Sequence, residues 1–207
     1  MSITLGIVII TVIVSLTSFY NPKGIDDLSM WPLMINTKKQ YYRFITSGFV
    51  HGDFMHLLFN MVTLLSFGEA LEGLSLGGQP LFSRPVFISF YLAALVLSDI
   101  PSYIRHRRSY TYRSIGASGA VSALLFATIL FNPWGEIQLF FIIPVPSILY
   151  AVLYMVYCVY SSRRRADNIN HDAHLWGGLF GWAFTLILYP WLFQYFLQQL
   201  VHPHFGN

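Results

Sequence analysis

Arg113-Ser114-Ile115-Gly116-Ala117-Ser118-Gly119-Ala120 leads straight into an apolar run over residues 121–131. Ser118 therefore sits where a polar loop becomes an apolar helix. Gly116 and Gly119 remove side chains on both sides of it, so another helix or a substrate backbone can come close. A helix start also leaves backbone N–H groups able to bind an oxyanion. Small residues at this spacing equally serve plain helix packing in membranes, so the reading turns on whether a base partners the serine.

The candidate base is in the last apolar segment. His171-Asp172-Ala173-His174-Leu175-Trp176-Gly177-Gly178 opens an apolar run over residues 179–193. An imidazole at the mouth of a spanning helix is costly unless it is paired or faces a cavity. Gly177 and Gly181 form a GxxxG pair, with Gly177 nearly one turn after His174. That pair suits close packing against the small face Gly116, Ala120, Ala123 and Ala127 of the serine helix. Such packing brings the His174 imidazole towards the Ser118 hydroxyl, the minimum arrangement for serine catalysis.

Composition sets the class. Of 207 residues, 55% are hydrophobic and 10% charged, where a soluble domain carries about 25% charge. With long continuous apolar runs, this predicts an all-α polytopic membrane protein in one domain, residues 1–207, rather than a barrel of short alternating strands. The lone Cys158 excludes an intramolecular disulfide and a cysteine metal cluster and reads as a packing residue. The formal net charge of +3 is confined to loops. It speaks for lipid headgroups and topology, not for nucleic acid. No cofactor or metal is expected.

Six transmembrane helices are predicted. The first covers residues 3–19; it lacks a basic leader and an A-x-A site and reads as a retained helix. Residues 20–50 mix prolines, charges and aromatics and read as a loop lying at the interface. The second helix spans residues 54–71 with Asp53 as N-cap, and the third residues 86–100. A basic loop over 101–114 precedes the fourth, 117–131. The fifth covers 138–160, with Pro144 and Pro146 in its first part, and the sixth 174–197, with a bend at Pro190. No internal repeat is visible.

His56 and Asn60 lie four apart on one face of the second helix, continued by Leu64, Gly68 and Glu72. Interhelical hydrogen bonding is one reading of them. The other is a donor pair that joins the Ser118 N–H in an oxyanion hole. A metal cluster of His51, His56, His171 and His174 is the third; it leaves Asn60 and Ser118 without a role, and His51 and His56 are five apart, off one helix face. In a six-helix chain the loops before the second, fourth and sixth helices lie on one side. Topology alone thus places His56, Asn60, Ser118 and His174 at similar depth.

These motifs together resemble a rhomboid intramembrane serine protease over nearly the whole chain. Three carry the resemblance: His51-x4-His56-x3-Asn60, Gly116-x-Ser118-Gly119 and His174-x2-Gly177-x3-Gly181. Tyr42-Arg43 stands where the family has a Trp-Arg pair, and Glu72 matches its acidic residue at the far end of the second helix. The resemblance implies a rhomboid-like bundle and a Ser–His dyad. Ser118 would be the nucleophile and His174 the base. His56, Asn60 and the Ser118 N–H would form the oxyanion hole, with His51, Gly116, Gly119, Gly177 and Gly181 supporting. It implies transmembrane proteins as substrates, admitted beside the second and fifth helices. Asp172, two residues before His174, is read as solvated and left out of the dyad. Ser122 stands where the family often stacks an aromatic ring on the catalytic imidazole.

A rhomboid-like protein that binds membrane helices without cutting them is the alternative. A transporter would be expected to show internal repeats. The loops on the serine side hold all the lysines and all the arginines except Arg84. The positive-inside rule would make that side cytoplasmic, whereas the resemblance implies an extracytoplasmic mouth. The small size suggests a bacterial plasma membrane.

Overall fold

A computed structural model describes residues 1–139, 142–164, 167 and 169–202. The first helix, α1 (Ile3–Phe19), is capped by Ser2, whose hydroxyl accepts from Leu5 N at 3.1 Å. Its N-terminus is also held from outside. The Glu72 carboxylate accepts from Ile3 N (3.0 Å), Thr4 N (2.7 Å) and Thr4 Oγ1 (2.6 Å), and negative charge at a helix N-terminus is favourable. Glu72 lies in the last turn of α5 (Phe54–Gly73), so this contact fastens α1 to α5.

Residues 20–50, expected as an interfacial loop, are largely short helices: α2 (Pro22–Leu28), α3 (Pro32–Lys38), α4 (Arg43–Thr46) and a 3-10 turn at Ser47–Phe49. Prolines open α2 and α3 at the position where a missing N–H is harmless. Arg43 is buried among them. It donates to the carbonyls of Asp26 (2.7 Å) and Ser29 (2.8 Å) and to Gln40 Oε1 (2.7 Å). Asp53 caps α5 as expected, accepting from His56 N at 2.8 Å.

A hairpin of two-residue strands, β1 (Ser75–Leu76) and β2 (Gln79–Pro80), leads to α6 (Arg84–His106). This helix runs past the expected end at residue 100, through Pro101. The chain then reaches α7 (Ser118–Phe131), in which every residue but Ser118, Thr128 and Phe131 is buried. The fifth segment departs from the sequence reading. Its start is an antiparallel pair, β3 (Glu136–Leu139) and β4 (Ile143–Pro146), and α8 (Ser147–Arg164) begins only afterwards. Pro144 and Pro146 lack the N–H groups a helix interior needs.

The sixth segment departs as well. α9 (His171–Leu188) starts three residues early on an Asn170 cap and stops before Pro190, and α10 (Trp191–Val201) leaves at 116° to it. The residue before a proline is pushed out of helical geometry, and Tyr189 has φ −130° and ψ 73°.

By length and apolar composition, two helices among the described residues can cross a membrane, α5 and α6, and the bent pair α9–α10 makes three at most. The expected count of six does not meet this measure. The 17-residue α1 and the 14-residue α7 are short, and α8 ends in Arg163 and Arg164. α7 is the hub, with α9 as its main neighbour and α5 and α6 beside it.

Candidate active site

The two glycines of the last motif decide how α9 meets α7. A Cβ on Gly177 would lie 2.1 Å from the Gly119 carbonyl oxygen, and one on Gly181 would lie 2.1 Å from that of Ala123. The helix backbones therefore touch at two successive steps, which only glycine allows. One turn towards the mouth, the same register sets Ser118 Oγ and His174 Nε2 2.7 Å apart, within hydrogen-bonding distance.

α7 begins at Ser118 without a side-chain cap, so its first-turn N–H groups are not engaged in that way. Gly116, just before it, has φ +112°, and a Cβ there would lie 2.7 Å from His56 Nε2. Both the positive φ and the closeness require glycine. His56 Nδ1 faces the Gly52 N–H at 3.5 Å, a long contact. A proton on Nε2, beside the backbone that precedes Ser118, suits that contact. Asn60 lies one turn deeper, buried, and one of its amide protons goes to the His56 carbonyl at 2.9 Å. An amide nitrogen has two protons, so one remains.

His51 acts differently. It is fully buried; Ser15 Oγ lies 3.0 Å from its Nδ1, and the Ala117 N–H donates to its Nε2 at 3.4 Å. It ties α1 to the loop that positions Ser118. Its ring meets His56 edge-on at 4.9 Å between centroids. They meet because His51 lies before the helix, a possibility that helix-face spacing alone had disfavoured. The four histidines that a single metal cluster would need divide into two neighbouring pairs, His51 with His56 and His171 with His174.

Asp172 is not solvated as expected. It forms an ion pair with Arg105 and a hydrogen bond with Ser162.

Two residues of this region were missed by sequence. Tyr154, on α8, stacks on the His174 ring with centroids 6.0 Å apart and planes at 19°. Its hydroxyl shares a 3.0 Å hydrogen bond with Ser122 Oγ. The aromatic ring absent at position 122 thus comes from another helix, with Ser122 as its anchor. The small residue at 122 was the available signal. Asn170 is the second. Its side chain accepts from Ala173 N (3.1 Å) and Ser102 Oγ (2.8 Å) and donates to Asp99 (3.0 Å) and towards Ser114 (3.4 Å). It joins α6 and the loop before α7 to the start of α9. An asparagine just ahead of His171 was the cap signal that could have found it.

A family profile described as Rhomboid domain matches residues 38–191. Among curated proteins the chain is similar to RHOMBOID-like protein 12, mitochondrial, of Arabidopsis thaliana, at 28% identity over 64% of the chain and 42% of that protein. Rhomboid-like protein 15 of the same plant is 28% identical over 78% of the chain and 40% of its own length. The human presenilin-associated rhomboid-like protein, mitochondrial, is 30% identical over 68% of the chain and 36% of its own length. The chain thus spans about two fifths of the length of these relatives. Two of the three are mitochondrial by name, and the bacterial plasma membrane expected from sequence gains no support from them. With its helices, its three motifs and a profile match across most of its length, this membrane-integral chain belongs to the rhomboid family.

Proposed function

We propose that the protein is an intramembrane serine endopeptidase that cuts transmembrane helices of other membrane proteins. The observation that carries this is the 2.7 Å contact between Ser118 Oγ and His174 Nε2 at the uncapped start of α7. In this reading His174 Nε2 takes the Ser118 proton as Oγ attacks the scissile carbonyl. The oxyanion is met by the Ser118 N–H, His56 Nε2–H and the second amide proton of Asn60. The protonated His174 then gives its proton to the departing amine, leaving an acyl-enzyme. Water, deprotonated by His174, hydrolyses the ester and restores Ser118. Tyr154 holds the imidazole plane throughout.

The length of α7 favours chemistry below the membrane surface. Fourteen residues rise about 21 Å, against a hydrocarbon core of about 30 Å. A helix of that length with its far end at one face starts about 9 Å inside the other. In this reading α1, α5, α6, α7, α8 and α9 make six crossings around the site, in a single domain over the whole chain. A substrate helix has its backbone satisfied internally and must unwind to be cut, so glycine or another helix-weakening residue near the scissile bond is preferred.

The test is cleavage of a single-span reporter in proteoliposomes, comparing the wild type with Ser118→Ala. Cleavage by the wild type alone supports the proposal. An intact reporter in both, with no labelling of Ser118 by a fluorophosphonate, sinks it and leaves a protein that holds helices without cutting them.

A further inference from the structure

Behind the dyad lies a second cluster that the proposed reaction does not use. His171 is buried, and its Nε2 lies 3.0 and 3.1 Å from the two carboxylate oxygens of Asp167. A carboxylate only accepts, so Nε2 carries the ring proton and Nδ1 carries a lone pair. The hydrogen bond from His171 holds the Asp167 carboxyl below the usual range. His171 Nδ1 is buried, and among the described residues it has no hydrogen-bond partner. Such an atom calls for an explanation. Cys158, fully buried on α8, stands beside it, and ligand atoms of Cys158, His171 and His174 all lie within 4.8 Å of one another. The Tyr157 ring meets His171 edge-on at 5.2 Å and fixes its orientation.

We infer that Cys158, His171 and His174 form an inhibitory site for a thiophilic divalent cation, with Zn²⁺ the best match. The inference of inhibition rests on the reading of Ser118 and His174 as a catalytic dyad. One thiolate and two imidazoles are a zinc donor set and suit neither magnesium nor calcium. A carboxylate on the far nitrogen of a histidine is the usual outer partner of a metal ligand, and Asp167 stands there. Zn–S of about 2.3 Å and Zn–N of about 2.0 Å require the ligand atoms to draw together by about 1 Å. Water takes the fourth position. A polar cavity of 540 Å³, lined in part by Asp167, His171 and Asp172, adjoins the cluster at His171.

Inhibition follows from the proton count. In the catalytic arrangement Ser118 donates to His174 Nε2, so the ring proton is on Nδ1. Nε2 faces Ser118, leaving Nδ1 for the cation. A cation on Nδ1 displaces that proton and the neutral ring carries it on Nε2 instead. Cys158 loses its thiol proton to water. His174 then donates to Ser118 and cannot accept from it. The cation also ties α8 to α9.

The test uses the full chain in detergent. Co²⁺ is titrated into the Ser118→Ala variant, and thiolate-to-cobalt charge-transfer absorbance is read. One equivalent should give the band with tetrahedral visible bands, and Zn²⁺ should bleach both. Cys158→Ser should abolish the charge-transfer band, and His171→Gln should weaken cobalt binding at least tenfold. Absence of the band, or its survival in Cys158→Ser, overturns the site. In proteoliposomes, Zn²⁺ should slow metal-free wild type at least tenfold, with recovery on adding EDTA. Cys158→Ser, measured against its own metal-free rate, should need at least tenfold more Zn²⁺. A cobalt band in a protein that never cleaves leaves the cation site standing and removes the protease reading. Active wild type that is indifferent to Zn²⁺ overturns the inhibitory role while the protease stands.

Discussion

Replacing Gly181 by alanine tests whether the α7–α9 backbone contact sets the dyad. The added Cβ would lie 2.1 Å from the Ala123 carbonyl oxygen and 2.8 Å from both its carbonyl carbon and its Cα. All three are backbone atoms of a buried helix and cannot turn aside. Ordinary contact requires the helices to part by about 1 Å, an overpacking cost of about 1–3 kcal/mol, at the upper end because no side chain can yield. His174 lies seven residues, or about 10 Å, along the same helix, and a stiff helix carries most of that displacement to it. The 2.7 Å Ser118–His174 contact then opens to about 3.7 Å, past hydrogen-bond range. A misplacement of about 1 Å is worth about 100-fold in rate. The assay pairs initial cleavage rates in proteoliposomes with thermal unfolding in detergent. Gly73→Ala is the control, because its Cβ meets nothing within 4 Å at the end of α5. Gly181→Ala within threefold of wild type in rate, with unchanged unfolding, would refute the argument.

Tyr154→Ala should lower kcat about tenfold with little change in KM. Tyr154→Phe should keep most activity if stacking on His174 is the larger part, and Ser122→Ala should behave like it. Asn170→Ala removes a helix cap and leaves partners on α6 unmet, so thermal or denaturant unfolding should show a loss of about 1–3 kcal/mol. Glu72→Ala, far from the dyad, should destabilise by about 1–2 kcal/mol by freeing the start of α1. Its cleavage rate per folded molecule should stay close to wild type. Equal loss of rate in Glu72→Ala and Gly181→Ala would show that cleavage follows general stability and not dyad geometry.

Much of the candidate site was legible because its parts are local. Gly116, Gly119, Gly177 and Gly181 mark places where a ring, the Ser98 side chain or another backbone comes too close for a Cβ. His56 and Asn60 share a face by helical period alone. The Asp53 cap needs only its own turn. Boundaries fared worse where two local rules competed. Apolar composition continued through Pro144 and Pro146, but their missing N–H groups turned the segment into a hairpin. Pro101 stayed inside α6, whereas Pro190 ended α9.

The sequence by itself thus determined the helical membrane class, the serine and histidine that pair across α7 and α9, and the residues that let their helices touch. Each of these depends on composition or on spacing within a turn or two. Only the tertiary structure decided that the ring on His174 comes from α8 and that Asn170 binds α6 to α9. It alone seated Glu72 on the start of α1 and set Cys158 beside His171 and His174. Those contacts join side chains far apart in the chain. Which face of α8 meets α9 is set by the packing of the whole bundle, and no local spacing encodes it.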